Sequence, residues 1–286
     1  MGGRRIIYLL MIFAVAAPII VGFSQRPSRL QSAERMYEVV ESVRIEPGEV
    51  ALVWLDFGPN TTAENEPQAT VLLEHLFRRR IPVILLSQYQ QSERFLESIP
   101  RKVAKRLERE MPGQHWRYGE AWINGGFRPG SGIFIQSMVS APDLTKFLGR
   151  DVQGMPLTHY PNFASLGGVE RVKLVGEITG LVGVFDNIIQ FLQKDGYRPT
   201  IVHGCTSITI PEAYIFLDSG QLKGLLEGIA GAAWYSEVIK RAYPESDNKK
   251  LLVTNTSLGL AHLVLILLIV FGNVAPLMKK FRRGDG

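Results

Sequence analysis

Hydrophobic positions along the chain fall into three regimes. A long apolar run stands near each end, and between them short runs alternate between strand-like blocks and stretches with helical spacing. The C-terminal run, Leu258 to Leu277, is followed by Lys279, Lys280, Arg282 and Arg283. About 20 residues rising about 1.5 Å each cross a hydrocarbon core of about 30 Å, so the run predicts a membrane-spanning helix. The N-terminal run, Ile6 to Phe23, carries no charge and follows the basic lead Met1 to Arg5. It exceeds the usual signal-peptide core of about 7 to 15 residues, and no small-residue cleavage site follows, which favours a retained helix.

These runs divide the chain into an N-terminal span (1–24), a central extracytoplasmic domain with short linkers (25–250), and a C-terminal span with a basic tail (251–286). Arg4, Arg5 and the four basic residues of the tail place both termini in the cytoplasm under the positive-inside rule. Arg26, Arg29, Arg35, Lys249 and Lys250 on the opposite flanks weigh against that orientation. His262 and Asn273 lie about three helical turns apart on one face of the last span. Either a second helix covers that face or both side chains reach the head groups.

Within the central segment, strands are expected at Val50 to Phe57, Ile81 to Leu86, Ile133 to Met138, Arg171 to Ile178 and Thr200 to Cys205. Helices are expected at Gln68 to Arg80, at Ser92 to Met111 with a break near Pro100, and at Val184 to Lys194. Ser24 to Ser32 and Glu245 to Lys250 read as linkers. The alternation is that of an α/β domain with a mostly parallel, doubly wound sheet covered on both faces.

Such sheets bind ligands outside the carboxyl ends of their strands. The residues that would line that crevice are Asp56, Asn60, Thr61 and Glu64 after the first strand, and Ser87 and Gln88 after the second. Gln136 follows the third, Glu177 ends the fourth, and His203 and Thr206 belong to the fifth. There is neither a G-x-G-x-x-G after the first strand nor a Walker A sequence, which disfavours dinucleotide and P-loop nucleotide binding. Asp56, Glu64 and Glu66 could offer oxygen ligands to a cation, but helix N-termini also favour acids, here with Asn65 as the cap. His203 and Cys205 point to one face of an extended strand without an evident third group, so Cys205 is expected to be a buried structural thiol. No catalytic set, metal site or cofactor is expected.

Charge changes the picture of partners. The net charge of +5 belongs to the flanks of the spans, because the segment between them is formally neutral. That argues against nucleic acid as a partner. With one cysteine, the chain has no internal disulfide.

Pro211 to Tyr243 holds Gly220, Gly224 and Gly228 at four-residue intervals, then Gly231-Ala232-Ala233. On a helix these would form a close-packing face, meeting either the domain's own sheet or a neighbouring subunit. Through Leu217-Asp218-Ser219-Gly220-Gln221-Leu222, Gly228 to Tyr235 and the polar-tipped last span, the chain resembles a group of prokaryotic membrane proteins with a helix at each end and a Rossmann-like domain between. The resemblance implies that architecture and carries no activity or catalytic residue. The function expected is a non-enzymatic accessory or scaffold subunit of a membrane complex, in contact with lipid and with other membrane subunits or copies of itself. An extracytoplasmic small-ligand sensor is the alternative, and a membrane-anchored hydrolase using Asp56 or His203 a third.

Overall fold

The central runs lack alternation because their strands are buried on both faces, as in a parallel sheet sandwiched by helices. A computed structural model describes residues 2–192 and 196–283, with side chains from 5 to 274. Lys194, Asp285 and the side chains of Arg4, Lys279, Lys280, Arg282 and Arg283 lie outside the described part. In chain order the elements are α1 (Gly2–Val21), α2 (Gln31–Ser42), β1 (Val50–Asp56), α3 (Thr62–Arg78), β2 (Val83–Ser87), α4 (Glu93–Glu110), β3 (Trp122–Phe127) and α5 (Ser131–Ser140). They continue with α6 (Leu144–Leu148), β4 (Val172–Thr179), α7 (Val184–Phe191), β5 (Thr200–Cys205), α8 (Ile210–Asp218), β6 (Gly224–Glu227), α9 (Gly228–Ala242) and α10 (Lys249–Arg283). They form two units: Arg29–Asp247, and the terminal segments Met1–Ser28 with Asn248–Gly286.

The larger unit is a six-stranded, all-parallel sheet of order β3-β2-β1-β4-β5-β6, a Rossmann-like arrangement. Leu72 of α3 sits over Gly176, where a Cβ would come within 2.9 Å of it, and Gln68 of α3 lies over Gly204. The opposite face carries α5, α7 and α8: Phe134 meets Trp54 edge-on, Phe185 stacks on His203, and Phe216 packs against Phe185. Trp54, Leu52, Leu55 and Leu72 are essentially inaccessible to water. Each such apolar side chain contributes about 1.5–3 kcal/mol by burial.

Four of the five expected strands form, within one or two residues at their ends. The fifth, Ile133 to Met138, is instead part of helix α5. Ile135, Met138 and Val139 recur at helical spacing and are buried, while Ile133 and Gln136 face solvent. The third strand is Trp122–Phe127, whose Gly125 lies where a Cβ would come within 2.5 Å of Leu86. Helix α4 runs through Pro100 without restarting, held by Leu96, Ile99, Val103 and Leu107 buried along one side. Helix α3 begins at Thr62, so Asn65 lies inside it and is no cap. Part of the first expected linker is helical, because α2 begins at Gln31.

The glycine row is not one helical face. Gly220 follows α8 with φ +75°, Gly224 opens β6, and Gly228 opens α9 with φ +53°. The intervening Leu225 and Leu226 are buried in the sheet, and a strand cannot share the period of a helix. Close approach is nevertheless present at Gly224. A Cβ there would lie 2.4 Å from the Cα of Met36, so α2 rests directly on the edge strand.

In the smaller unit α1 and α10 pack together, and Gln25 donates its backbone N–H to Thr256 Oγ1 at 2.9 Å. One helix, over Lys249–Val274, is long and apolar enough to cross a membrane; the apolar part of α1, Arg5–Val21, is shorter. Among the described residues no second helix covers His262 and Asn273. Both are exposed, while their neighbour Ala261 is buried, and Asn273 turns its Nδ2 to the Ile269 carbonyl of its own helix at 2.7 Å.

Candidate functional site

Strand order reverses between β1 and β4, and loops on either side of that point diverge to leave the usual ligand position of such sheets. Asp56 ends β1 there, and Glu177 stands two residues before the end of β4. Glu177 is in register with Trp54 on one side and His203 on the other, so all three share the sheet face covered by α5 and α7. Asp56, two residues after Trp54, points the same way.

Both carboxyls are completely buried. Asp56 Oδ1 accepts from Ser87 Oγ and from the Gln88 backbone N–H, each at 2.6 Å. Asp56 Oδ2 and both oxygens of Glu177 receive no donor from any other described group. Burial, and then the neighbouring Asp56, push the Glu177 carboxyl well above its ordinary value. Burial likewise lifts Asp56, against the bonds from Ser87 and Gln88. No arginine or lysine figures among the groups acting on either. Two acids this close, without a cation, cannot both ionise cheaply, and they hold a proton between them.

His203 donates Nδ1–H to the Glu177 carbonyl at 2.8 Å, and Phe185 covers its ring at a centroid distance of 4.0 Å. Burial pushes its pKa down to about 4, so it is neutral at pH 7. Cys205 is fully buried, and burial raises its thiol to about 12, so it is no thiolate nucleophile.

Other expected crevice residues go elsewhere. Glu64 accepts from the backbone N–H of Ser207 at 2.8 Å and from its hydroxyl, and Glu66 meets Lys102 at 2.8 Å. With Asp56 bound to Ser87, these three acids do not converge on a cation. Asn60 is exposed, Thr206 Oγ1 lies 3.4 Å from Thr209 Oγ1, and Gln136 is on the outer side of α5. Gly180 lets the β4 loop close on Thr61, whose methyl and hydroxyl lie 2.4–2.6 Å from where a Cβ would stand.

The structure adds residues that the strand-end rule does not single out. Gln68 donates to the carbonyls of Cys205, Leu226 and Gly228 at 2.7–3.0 Å, tying together the ends of β5 and β6. Asn65 donates to the Thr179 carbonyl at 3.1 Å and to Gln68 Oε1 at 3.0 Å, leaving its own Oδ1 without a donor. Trp54 Nε1, Thr61 Oγ1 and both polar atoms of Gln88 are also buried without partners. Most of the buried side-chain atoms lacking a partner therefore gather around this one end of β1, β2 and β4. Each costs about 1–3 kcal/mol, a concentration that scattered packing faults would not produce.

The space beside them is small. A cavity of about 10 Å³ lies among Thr179, Phe185, His203, Thr209 and Glu212, large enough for a single water. Larger hollows lie elsewhere: an open one of about 640 Å³ at the carboxyl end of β3, by Phe127, Arg128 and Asp151, and another of about 440 Å³ by Tyr197, Arg198 and Lys223 at the opposite end of the sheet. Among the described residues no group of three or more His, Cys, Asp or Glu side chains is placed to hold a metal. Comparison of the chain with protein-family models, with curated proteins and with solved structures finds no match.

Proposed function

We propose that the chain is a non-enzymatic accessory subunit of a membrane protein complex. The apolar helices α1 and α10 hold it in the bilayer with both termini cytoplasmic, and the α/β domain meets an integral-membrane partner outside.

One observation carries this reading. Among the described residues of the Arg29–Asp247 unit, the exposed large apolar side chains are Ile133 at the start of α5, Val182 and Ile208 on the loops after β4 and β5, Tyr214 and Ile215 on α8, and Val152 beside Gly126 at the end of β3. Ile133, in the first turn of α5, and Val182 and Ile208, on the loops after β4 and β5, stand 74%, 73% and 86% exposed. The segments that bear them, 129–142, 178–185 and 203–211, contain no Asp, Glu, Lys or Arg. By contrast, the loops that lead into the strands expose Arg44, Arg80, Arg117, Glu120, Arg171, Arg198 and Lys223. Apolar tips set in stretches that carry no charge, with Glu64, Arg128, Asp186 and Glu212 close by, suit a partner surface that is apolar with a polar border.

A photo-crosslinking side chain at Val182 or Ile208 in the membrane-embedded full chain tests the reading. A discrete adduct with one integral-membrane protein is expected, lost when Ile133 and Ile208 are both changed to serine. A chain that gives no adduct and purifies alone as a monomer in mild detergent overturns it. The orientation is tested separately: a reporter active only in the cytoplasm is expected to work after Gly286 and to fail near Glu245.

A further inference from the structure

We propose that the open hollow at the carboxyl end of β3 binds an α-amino acid, its carboxylate held by Arg128, Arg150 and Asn124 and its ammonium group by Glu93. The hollow, of about 640 Å³, is bounded by the first turns of α4, by the end of β3 with Arg128, and by residues 150–153. That volume is within the range of about 300–1,000 Å³ usual for small-molecule sites. Gly125 and Gly126 end the strand here, so β3 presents backbone that a ligand can approach closely. The cationic side is built from two arginines whose hydrogen bonds go to carbonyls. Arg128 donates from Nε to Gly125 at 2.9 Å and from Nη2 to Leu148 and Arg150 at 3.3 and 3.2 Å, and Arg150 donates from Nη1 to Gly154 at 2.6 Å. Neither charge is matched by a carboxylate among the described residues. Asp151, on the same wall, is held by Tyr118, Tyr160 and the backbone N–H groups of Gln153 and Met155.

Asn124 is the independent observation. It is only 3% exposed, and its Oδ1 accepts from the Gly126 N–H at 3.0 Å, which fixes the orientation of the amide. Its Nδ2 has no acceptor among the described residues and yet is not sealed from water, so it opens into the hollow that Asn124 lines. A neutral donor beside two guanidinium groups suits the oxygens of a carboxylate. The opposite wall selects the rest of the ligand. Glu97 of α4 is paired with Arg101, whereas Glu93 is exposed and joins no ion pair among the described residues. A phosphate dianion would be repelled by these acids, while a molecule with a carboxylate at one end and an ammonium at the other meets the opposite charge at each. Leu96 and Phe127 leave apolar surface for a side chain. The site is separate from the docking surface of the accessory-subunit reading and does not rest on that reading.

The test melts the full chain in detergent at neutral pH with each proteinogenic L-amino acid at millimolar concentration. At least one is expected to raise the melting temperature by several degrees. Its decarboxylated amine, its deaminated acid and inorganic phosphate are expected to leave the melting temperature where it was. Arg150→Gln and Glu93→Gln alter exposed side chains, so both are expected to melt like the wild type without ligand and to bind the amino acid about tenfold or more weakly by calorimetry. Asn124→Asp keeps the acceptor for the Gly126 N–H and turns the free donor into an acid, and is expected to abolish the shift. The absence of a shift with every amino acid would overturn the proposal. An equal shift from phosphate or from the deaminated acid would overturn it too, as would wild-type affinity in both Arg150→Gln and Glu93→Gln.

Discussion

Two acidic clusters of the α/β domain, one around Glu74 and one formed by Asp56 and Glu177, are treated in opposite ways. Glu74 and Glu110 lie under the far ends of α3 and α4, where Arg78 reaches Glu74 at 3.0 Å, Glu245 at 2.6 Å and Glu110, and Arg106 reaches Glu74 at 2.6 Å. Ser246 adds a hydroxyl bond to Glu74 at 2.7 Å. Asp56 and Glu177 are buried completely, whereas Glu110 is half-buried, and among the described residues no arginine pairs with either of them. The first cluster is charge-matched and ties helices to one another; the second is left open at the place where parallel sheets bind ligands. A buried acid can be held by a cation, as Glu74 is by Arg78, or by donors alone, as Asp151 is by Tyr118, Tyr160 and two backbone N–H groups; Asp56 and Glu177 have neither in full, and they keep a proton instead.

The comparison breaks most sharply at Arg78. Arg78→Ala leaves the buried Glu74 and the half-buried Glu110 with too little positive charge, and is expected to cost about 3–5 kcal/mol by urea unfolding. A loss below about 1 kcal/mol would mean that the cluster is hydrated and no different from a surface pair.

His203 gives the next largest effect. Its folded pKa is about 4 and therefore lies below the unfolded value, so the folded state binds fewer protons. The stability held above pH 6.5 is lost as pH falls toward 4, by about 3 kcal/mol in all. Urea midpoints of the wild type and His203→Gln, measured at steps across that window, should converge at its acid end. Parallel curves would show that the ring is not kept neutral by burial.

Glu177 runs the other way. With its folded pKa raised, the folded state holds a proton that the unfolded chain gives up, so stability falls as pH rises above about 4.5, by up to about 1.4 kcal/mol per unit. Glu177→Gln, which has no proton to lose, is expected to gain stability relative to the wild type as pH rises from 5 to 8, read as diverging urea midpoints. Midpoints that keep a constant separation would place a compensating charge near the pair.

The smallest effect is the control. Lys102 and Glu66 form an ion pair in which the lysine is 67% exposed, and Lys102→Ala should change stability by less than about 1 kcal/mol.

Much of the sheet is legible in the sequence because β1, β2, β4 and β5 are blocks of branched and aromatic residues bounded by turns. The two edge strands are not. Trp122–Phe127 contains Asn124, Gly125 and Gly126, which read as a loop until Leu86 is seen to occupy the space that a side chain at 125 would need. Gly224–Glu227 is four residues long, too short to show a period between two helices. Ile133 to Met138 misleads for the reason that short apolar runs generally do: six residues fit a strand or one and a half turns of helix. For the site, the strand-end rule locates Asp56, Ser87, Gln88, Glu177 and His203. It says nothing of which carboxyl lacks a cation, since Arg78 and Arg106 are near Glu74 only through the packing of α3 on α4. Asn65, Gln68 and Trp54 carry no local signal, because an amide inside a helix and an indole inside a strand reveal their free atoms only when the neighbours are known.

The seat of α2 on the edge strand sets a schedule for the ribosome. Ser32 of α2 bonds Glu227 of β6, 195 residues later, and Met36 occupies the space over Gly224. At about 5–20 residues per second, the first helix of the domain waits roughly 10 to 40 s after its own synthesis before its docking strand exists. During that interval its apolar side, with Ala33, Met36 and Val40, has no native cover from β6. The nascent domain is thus a client for whatever shields apolar helices at the exit of the translation machinery, and a chain halted before Gly224 would leave that helix exposed.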